Sequence, residues 1–328
     1  MPPPVELSIL VVTHDHAGEI DDCLEAAVAQ ARADLRVEVI VADNASVDGT
    51  PERVRAHGAP VRLLPMGANR GFAAGMNAAF AASSGRWVLL LNPDCAMDPG
   101  CAGALRDHLL GDANVAMAAA VLRNLDGSPQ LFARRELGLG AAVWAFTDVG
   151  RRFDERWRGG RGHAWRRYAE AWTGGPPRRP LAVDSPAAAC VLARRESLEP
   201  RPFDERFPLF FNDTDLCARL RAGGRRIEIV PAAGATHGYG TSIARAARAD
   251  YARLRAEWVV SLRRYAAARA WSRSARATLW GVLLGDAVIG AARFRLLRRG
   301  DPRHARGTLG GLGLPGGPSP LFSRVRGG

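Results

Sequence analysis

Residues 37–50 read VEVIVADNASVDGT. The first six are apolar or β-branched apart from Glu38, and the run is too short for a helix. A nearly continuous apolar strand is the mark of a strand covered on both faces, as in a parallel sheet. The polar residues 43–50 form a turn, and Pro51 suits the first position of a following helix. The same alternation extends in both directions. Upstream, VELSILVVT at 5–13 reads as a strand and 19–32 as a helix. Downstream come a strand at 61–64, a small-residue helix at 73–83 and the strand WVLLL at 87–91. Strands alternating with helices at this spacing indicate an α/β fold, a mostly parallel Rossmann-like sheet flanked by helices.

Open sheets of this kind bind ligands beyond the carboxyl ends of their strands. Those ends carry Thr13-His14-Asp15, Asp43-Asn44 and Asn92-Pro93-Asp94. Asp, Asn and Gly also follow strands for ordinary turn reasons, so one cluster alone means little. Three clusters at three strand ends point to a site. Patterned sequence returns at 182–237 after an irregular excursion, 134–180, that holds Trp144, Trp157, Trp165 and Trp172 and reads either as an acceptor-side segment or as a variable surface insertion. Residues 187–193 and 226–230 read as strands, and His237 is expected in a Gly-rich turn.

Composition bounds the rest. The chain has 328 residues, 47% of them hydrophobic, enough for one large α/β domain and an appendage. All 45 basic residues are Arg. The net charge is +12, and residues 244–306 hold 15 Arg against Asp250, Glu257, Asp286 and Asp301, leaving the rest near neutral. A basic C-terminal segment suggests an anionic partner. Regularly interleaved stacking aromatics are missing from it, so an anionic membrane surface fits better than nucleic acid. Within it, 277–292 is apolar, falls short of the roughly 20 residues of a bilayer span, and contains Asp286. An interfacial helix and a core-docking helix both fit. From Gly307 the sequence is Gly/Pro-rich and is expected to be a mobile tail. Five Cys match no zinc spacing and no disulfide framework, and the N-terminus shows no secretory signal, so a cytoplasmic setting is expected, with the inner face of the cell membrane as the place of contact.

Several residues can carry chemistry. Asp43 can accept from a pyrimidine N–H or a ribose hydroxyl. Asp94 can hold Mg²⁺ or Mn²⁺ with oxygens of a diphosphate and water. Asp213 and Asp215 follow Phe210-Phe211, and a carboxylate against apolar walls can serve as a general base. His237 can complete a metal shell. Each also has a plain structural alternative: Asp43 and Asp48 as helix caps, Asp94 as a turn residue, Asp213 as an N-cap with Asp215 in the first helical turn, His237 as a packed histidine.

In order, SILVVTHDH, VIVADNASVDGT, GANRGFAAGMNAA, LLLNPDCAMDP, FDERFPLFFNDTDLCARLRAGG and VPAAGATHGYGTS resemble the motifs of family 2 glycosyltransferases of the GT-A fold, most closely the bacterial rhamnosyltransferase-type branch. The similarity runs over about residues 7–242. It implies a glycosyltransferase domain at 1–242, a basic helical extension at 243–306 and a flexible tail at 307–328. It implies donor-nucleotide roles for Thr13, Asp15, Asp43, Asn44, Ser46, Asn69, Gly71 and Asn92. It gives the metal to Asp94 and His237, the base to Asp213, and the acceptor side to Asp215 and Phe211. The implied activity is inverting transfer of a sugar, rhamnose from dTDP-rhamnose as the first choice and a UDP-linked sugar as another. The implied acceptor is a glycan, a lipid-linked glycan or a secondary metabolite. The chain departs from the pattern at Asn92, where one carboxylate of the metal motif is missing, at Asn212, where the base motif usually has Glu, and at His14-Asp15. A catalytically lapsed nucleotide-sugar-binding protein of the same fold is the alternative.

Overall fold

The computed structural model describes residues 5–32, 35–130, 133–147, 150, 177–238, 241–297 and 300–322. They fall into two compact units. The first holds β1 (Leu7–Thr13), α1 (Ile20–Val28), β2 (Val37–Asp43), α2 (Thr50–Ala56), β3 (Val61–Pro65), α3 (Phe72–Ala81), β4 (Trp87–Leu91), β5 (Cys95–Met97), α4 (Cys101–Gly111), β6 (Val115–Arg123) and β7 (Ala133–Arg134). The second unit contributes the next element, α5 (Leu139–Phe146). The first resumes with β8 (Leu181–Ala182), β9 (Ser185–Pro186), β10 (Cys190–Arg194), α6 (Arg195–Leu198), α7 (Asn212–Ala222) and β11 (Arg226–His237). The second is completed by Leu209–Phe211 and by α8 (Thr241–Ala268), α9 (Arg273–Leu297) and α10 (Pro302–Leu312).

Among the described residues the sheet has nine strands in the order β3-β2-β1-β4-β10-β6-β11-β5, with β8 paired to β11. It is mixed and mostly parallel: β3, β2, β1 and β4 run together, β6 parallels β11, and β10 runs against β4 and β6. The strand order, not the strand direction, switches between β1 and β4, and at such a point a ligand crevice is expected beyond the carboxyl ends, near Thr13 and Asn92. The register sets Thr13 beside Asp43. All seven residues of β1 and all five of β4 are buried. Removing one such Leu side chain to Ala costs about 2–5 kcal/mol. Helix α3 is made of small residues because it lies close on β1: a Cβ on Gly75 would come within 2.8 Å of a Val12 methyl.

Three elements depart from the sequence reading. Residues 115–123, VAMAAAVLR, form a central strand that Ala-rich composition hides. Strand β11 does not stop at Val230. A bulge between Val230 and Gly234 carries it on, so His237 sits at a strand end paired with Cys95 and not in a turn. Residues 307–312, expected in a mobile tail, belong to α10, which Asp301 caps by accepting from the Arg303 N–H and which Gly313 ends at φ +76°. Its glycines serve packing: a Cβ on Gly307 would lie 2.4 Å from the Ala252 carbonyl oxygen, and one on Gly311 2.5 Å from Val259 Cβ.

The second unit is helical. Asp250 has non-helical angles inside α8, and its carboxylate accepts from the Arg253 N–H, capping the second stretch of a kinked element. Helix α9 is longer than its apolar segment and is long and apolar enough to cross a membrane by length and composition. Yet Leu279, Leu283, Asp286 and Ala287 on one side of it are buried. Asp286 is turned inward to His304 Nε2 at 2.9 Å, and Tyr251 Oη closes the chain at 3.2 Å from His304 Nδ1. Most of the Trp-rich excursion, with Trp157, Trp165 and Trp172, and the end of the tail lie outside the described residues.

Candidate functional site

The loops after β1 and β2 are tied into one surface. Asp43 and Asn44 are buried at the end of β2. Both Asp43 carboxylate oxygens accept from Ser46, one from its N–H and one from its hydroxyl. Ser46 Oγ in turn accepts from the Asp15 N–H at 2.9 Å, and Asp15 Oδ1 accepts from the Val47 N–H at 2.8 Å. Asp15 has φ +58°, a left-handed conformation that Asp tolerates better than bulkier residues. Thr13 is buried, with Oγ1 3.1 Å from His16 Nδ1. The Asn44 amide donates to the Gly71 carbonyl at 3.1 Å and accepts from the Arg70 N–H at 3.3 Å, while Asn69 Oδ1 accepts from the Gly71 N–H. Thus Asp15, Ser46 and Asp43 form one hydrogen-bonded group, and Thr13, Asn44, Gly71 and Asn69 form a second beside it, with the Asn44 N–H donating to the Thr13 carbonyl at 2.9 Å. Asp48 accepts from Thr50 and from the Ala17 N–H, and these bonds hold its carboxyl below the usual range despite the opposing effect of burial. It is the structural carboxylate of the loop.

A second group lies at the ends of β4 and β11. Asp94 Oδ1 is 3.3 Å from His237 Nε2, and both side chains are at most 7% exposed. Gln130 sets the histidine's tautomer. Its Nε2 donates to Asn124 Oδ1 and to the His237 carbonyl, which leaves Oε1 facing His237 Nδ1 at 2.8 Å. An amide oxygen only accepts, so Nδ1 carries a hydrogen, and in the neutral ring Nε2 presents its lone pair. A lone pair facing a carboxylate oxygen is favourable only with a positive charge between or upon them, a second proton or a metal cation. Ligands 2.1 Å from a metal on adjacent octahedral corners are about 3.0 Å apart, close to the Asp94–His237 separation. The back-bonded histidine is also the usual arrangement behind a metal-ligating imidazole. Asn92 Nδ2 lies 3.2 Å from the same Nε2, so the residue that replaces a carboxylate offers a donor there. Among the described residues no three His, Cys, Asp or Glu side chains cluster as a metal site. A cation held by Asp94 and His237 would need its other ligands from outside these residues, such as a diphosphate and water.

Asp213 lies in the first turn of α7, with Oδ1 accepting from the Thr214 N–H at 2.7 Å. Its Oδ2 is 3.6 Å from Arg134 Nη1 on β7. The side chain is 15% exposed, open enough to reach a substrate. Asp215 is buried and bound to Arg219 Nε at 2.9 Å. Phe211 is buried in the helical unit, stacked on Tyr265 at 5.5 Å and beside Trp258, with φ +65°. Asp215 is thus engaged in an ion pair and Phe211 in aromatic packing. Gln130 and Arg134 are the site residues that sequence reading missed, since neither lies in an acidic motif or at the end of a recognised strand. All five Cys are buried and free, and burial pushes the Cys217 thiol up to about 12.

Comparison with known proteins bears on this arrangement. The family model described as Glycosyl transferase family 2 matches residues 8–169. The N-acetylglucosaminyl-diphospho-decaprenol L-rhamnosyltransferase of Mycobacterium tuberculosis is 31% identical over 61% of this chain, and the chain spans 66% of that relative's length. The succinoglycan biosynthesis protein ExoO of Rhizobium meliloti is 34% identical over 37% of this chain and 33% of its own. Among solved structures, the mannosyltransferase PcManGT of Pyrobaculum calidifontis, in complex with GDP-Man and Mn²⁺, superposes with a TM-score of 0.54 at 18% identity, covering 92% of this chain and 80% of its own. S. aureus TarS 1-349 gives 0.52 at 14% identity over 90% and 73%. At these identities the likeness is one of fold.

Proposed function

We propose that this chain, which belongs to glycosyl transferase family 2, transfers a sugar from a nucleotide-diphosphate donor to an acceptor hydroxyl with inversion at the anomeric carbon. The observation that carries the reading is the Asp94–His237 pair, held by Gln130 at the carboxyl end of β4. It lies on the sheet edge that also bears the Asp43 loop. Rhamnose from dTDP-rhamnose is the donor favoured by the rhamnosyltransferase relative. A lipid-linked glycan is the favoured acceptor, since that relative is named for a diphospho-decaprenol substrate.

The chain's own residues divide the work. Asp43, Asn44, Ser46 and the Thr13–Asp15 turn bind the nucleoside, with second lone pairs of the Asp43 oxygens accepting from base or ribose. Asn69 and Gly71 bring backbone close to the donor. The acceptor oxygen forms its bond to the anomeric carbon while the bond to the diphosphate oxygen breaks on the opposite face, and the hydroxyl proton passes to Asp213. Arg134 holds that carboxylate in place. Asp94 and His237 suit Mg²⁺ or Mn²⁺, which supplies charge neutralisation of the leaving diphosphate when bound. The enzyme works in the cytoplasm, resting on the inner membrane face through its basic helical unit, with no nucleic-acid partner. The apolar outer face of α9 supports that contact.

A thermal-shift panel of dTDP, UDP and GDP and their sugars, with and without Mn²⁺, tests this reading. Ligand at 100 times its Kd stabilises the native state by about 2.7 kcal/mol. The expected result is the largest rise in Tm with dTDP-rhamnose and Mn²⁺, with the Mn²⁺-dependent part lost in Asp94→Ala. A panel in which no nucleotide diphosphate raises Tm contradicts the proposal.

A further inference from the structure

Helices α8 and α9 border an open surface cavity of about 600 Å³ within the helical unit. Arg263 and Arg264 line it from α8, Arg273 and Arg276 from α9, over a floor that includes the buried Leu279 and with the half-exposed Trp280 also lining it. No acidic side chain is among the described residues of its wall. Arg263 is fixed in position by donating to the Gly311 carbonyl at 3.0 Å. Four arginines bordering one cavity raise the local positive potential, and an anion with more than one acceptor oxygen can accept from several of them.

From Trp280 onward the exposed side of α9 carries apolar residues. Among the described residues seven large hydrophobic side chains are exposed, and four of them, Trp280, Val288, Ile289 and Leu296, lie on α9. Between Arg276 and Arg293 the one charged residue of the helix is Asp286, and it is buried against His304. The outer side of α9 therefore offers apolar groups flanked by Arg at both ends, the pattern of a helix lying in a membrane interface. A spanning orientation would expose Asp286 to hydrocarbon, which is costly.

We infer that the α8–α9 cavity is a binding site for the phosphate headgroup of an anionic membrane phospholipid, with Trp280 and the exposed apolar residues of α9 entering the interface beside it. The charge of the cavity selects an anion. The adjoining apolar side selects one attached to acyl chains, because a nucleic acid or a soluble phosphate leaves Val288, Ile289 and Leu296 in water. The cavity is larger than one phosphate group and accommodates a phosphate with its glycerol. The inference rests on the membrane-contact part of the proposed function and adds to it a defined site.

Sedimentation of the full chain with phosphatidylcholine vesicles, with and without 30% phosphatidylglycerol, tests it. Binding is expected to the anionic vesicles alone. In the double variant Arg273→Gln/Arg276→Gln it is expected to fall about 30-fold, taking each basic residue near the surface as worth about fivefold. The control Arg178→Gln/Arg179→Gln removes the same charge at exposed residues in the other unit and is expected to bind within twofold of wild type. Circular dichroism and the donor-induced rise in Tm are expected to be unchanged in both. Equal loss in both doubles reduces the effect to net charge and overturns the site. Full release by millimolar glycerol phosphate reassigns the cavity to a soluble phosphate, and tight duplex-DNA binding that the Arg273/Arg276 double abolishes reassigns it to nucleic acid. Failure of the wild type to bind anionic vesicles overturns the membrane contact itself and leaves the donor-binding test standing.

Discussion

Gln130 carries no charge, yet its bond to Nδ1 decides which nitrogen of His237 is turned toward Asp94 and Asn92. Its amide oxygen holds the Nδ1 hydrogen, and its amide nitrogen is held in turn by Asn124 and the His237 carbonyl. Leucine at this position keeps the volume and removes both functions. Gln130→Leu is expected to weaken Mn²⁺ binding about 10–100-fold by calorimetry, the usual effect of losing an outer partner of a ligating histidine. Unchanged affinity would show that the tautomer is set otherwise. The polar ends of β1, β2 and β4 were legible in sequence because short apolar runs locate the residues that follow them. Gln130 was not, because it lies in a loop without periodicity and its partner is 107 residues further on. Arg134 is hidden for the same reason in a chain where Arg is the sole basic side chain besides His.

At the scale of elements, the turn into α3 is the most constrained part of the donor side. Gly71 has φ +87°, and a Cβ there would lie 2.7 Å from the Pro208 carbonyl oxygen and 2.8 Å from Pro208 Cβ. Both the backbone conformation and the space exclude a side chain. Gly71→Ala is expected to destabilise by about 1–3 kcal/mol, read as a lower urea midpoint at unchanged slope, and to weaken donor binding. A stability equal to wild type would contradict the close approach. Strands with branched residues were readable, whereas β6 was not, since alanine signals helix as readily as a buried strand. The bulge in β11 hid behind Pro231-Ala232-Ala233-Gly234, which reads as a break and in the fold is a detour of one strand. Glycine misled at α10 as well, where it marks close helix packing and not mobility.

The whole molecule separates its tasks by charge and by unit. The sheet unit gathers the carboxylates and amides of the site, while the helical unit carries most of the net charge and the exposed apolar helix. That division was visible in the sequence as a change of composition near residue 243, although residues 135–147 and Phe211 belong to the helical unit and no local signal marked them. The proposed transfer rests on one carboxylate of the sheet unit. The most direct measurement is the rate of sugar transfer by Asp213→Asn, taken together with the donor-induced rise in Tm. The account predicts a kcat lowered by about 10²–10⁴-fold, as for a lost general base, with the rise in Tm retained. Transfer within tenfold of the wild-type rate would contradict it.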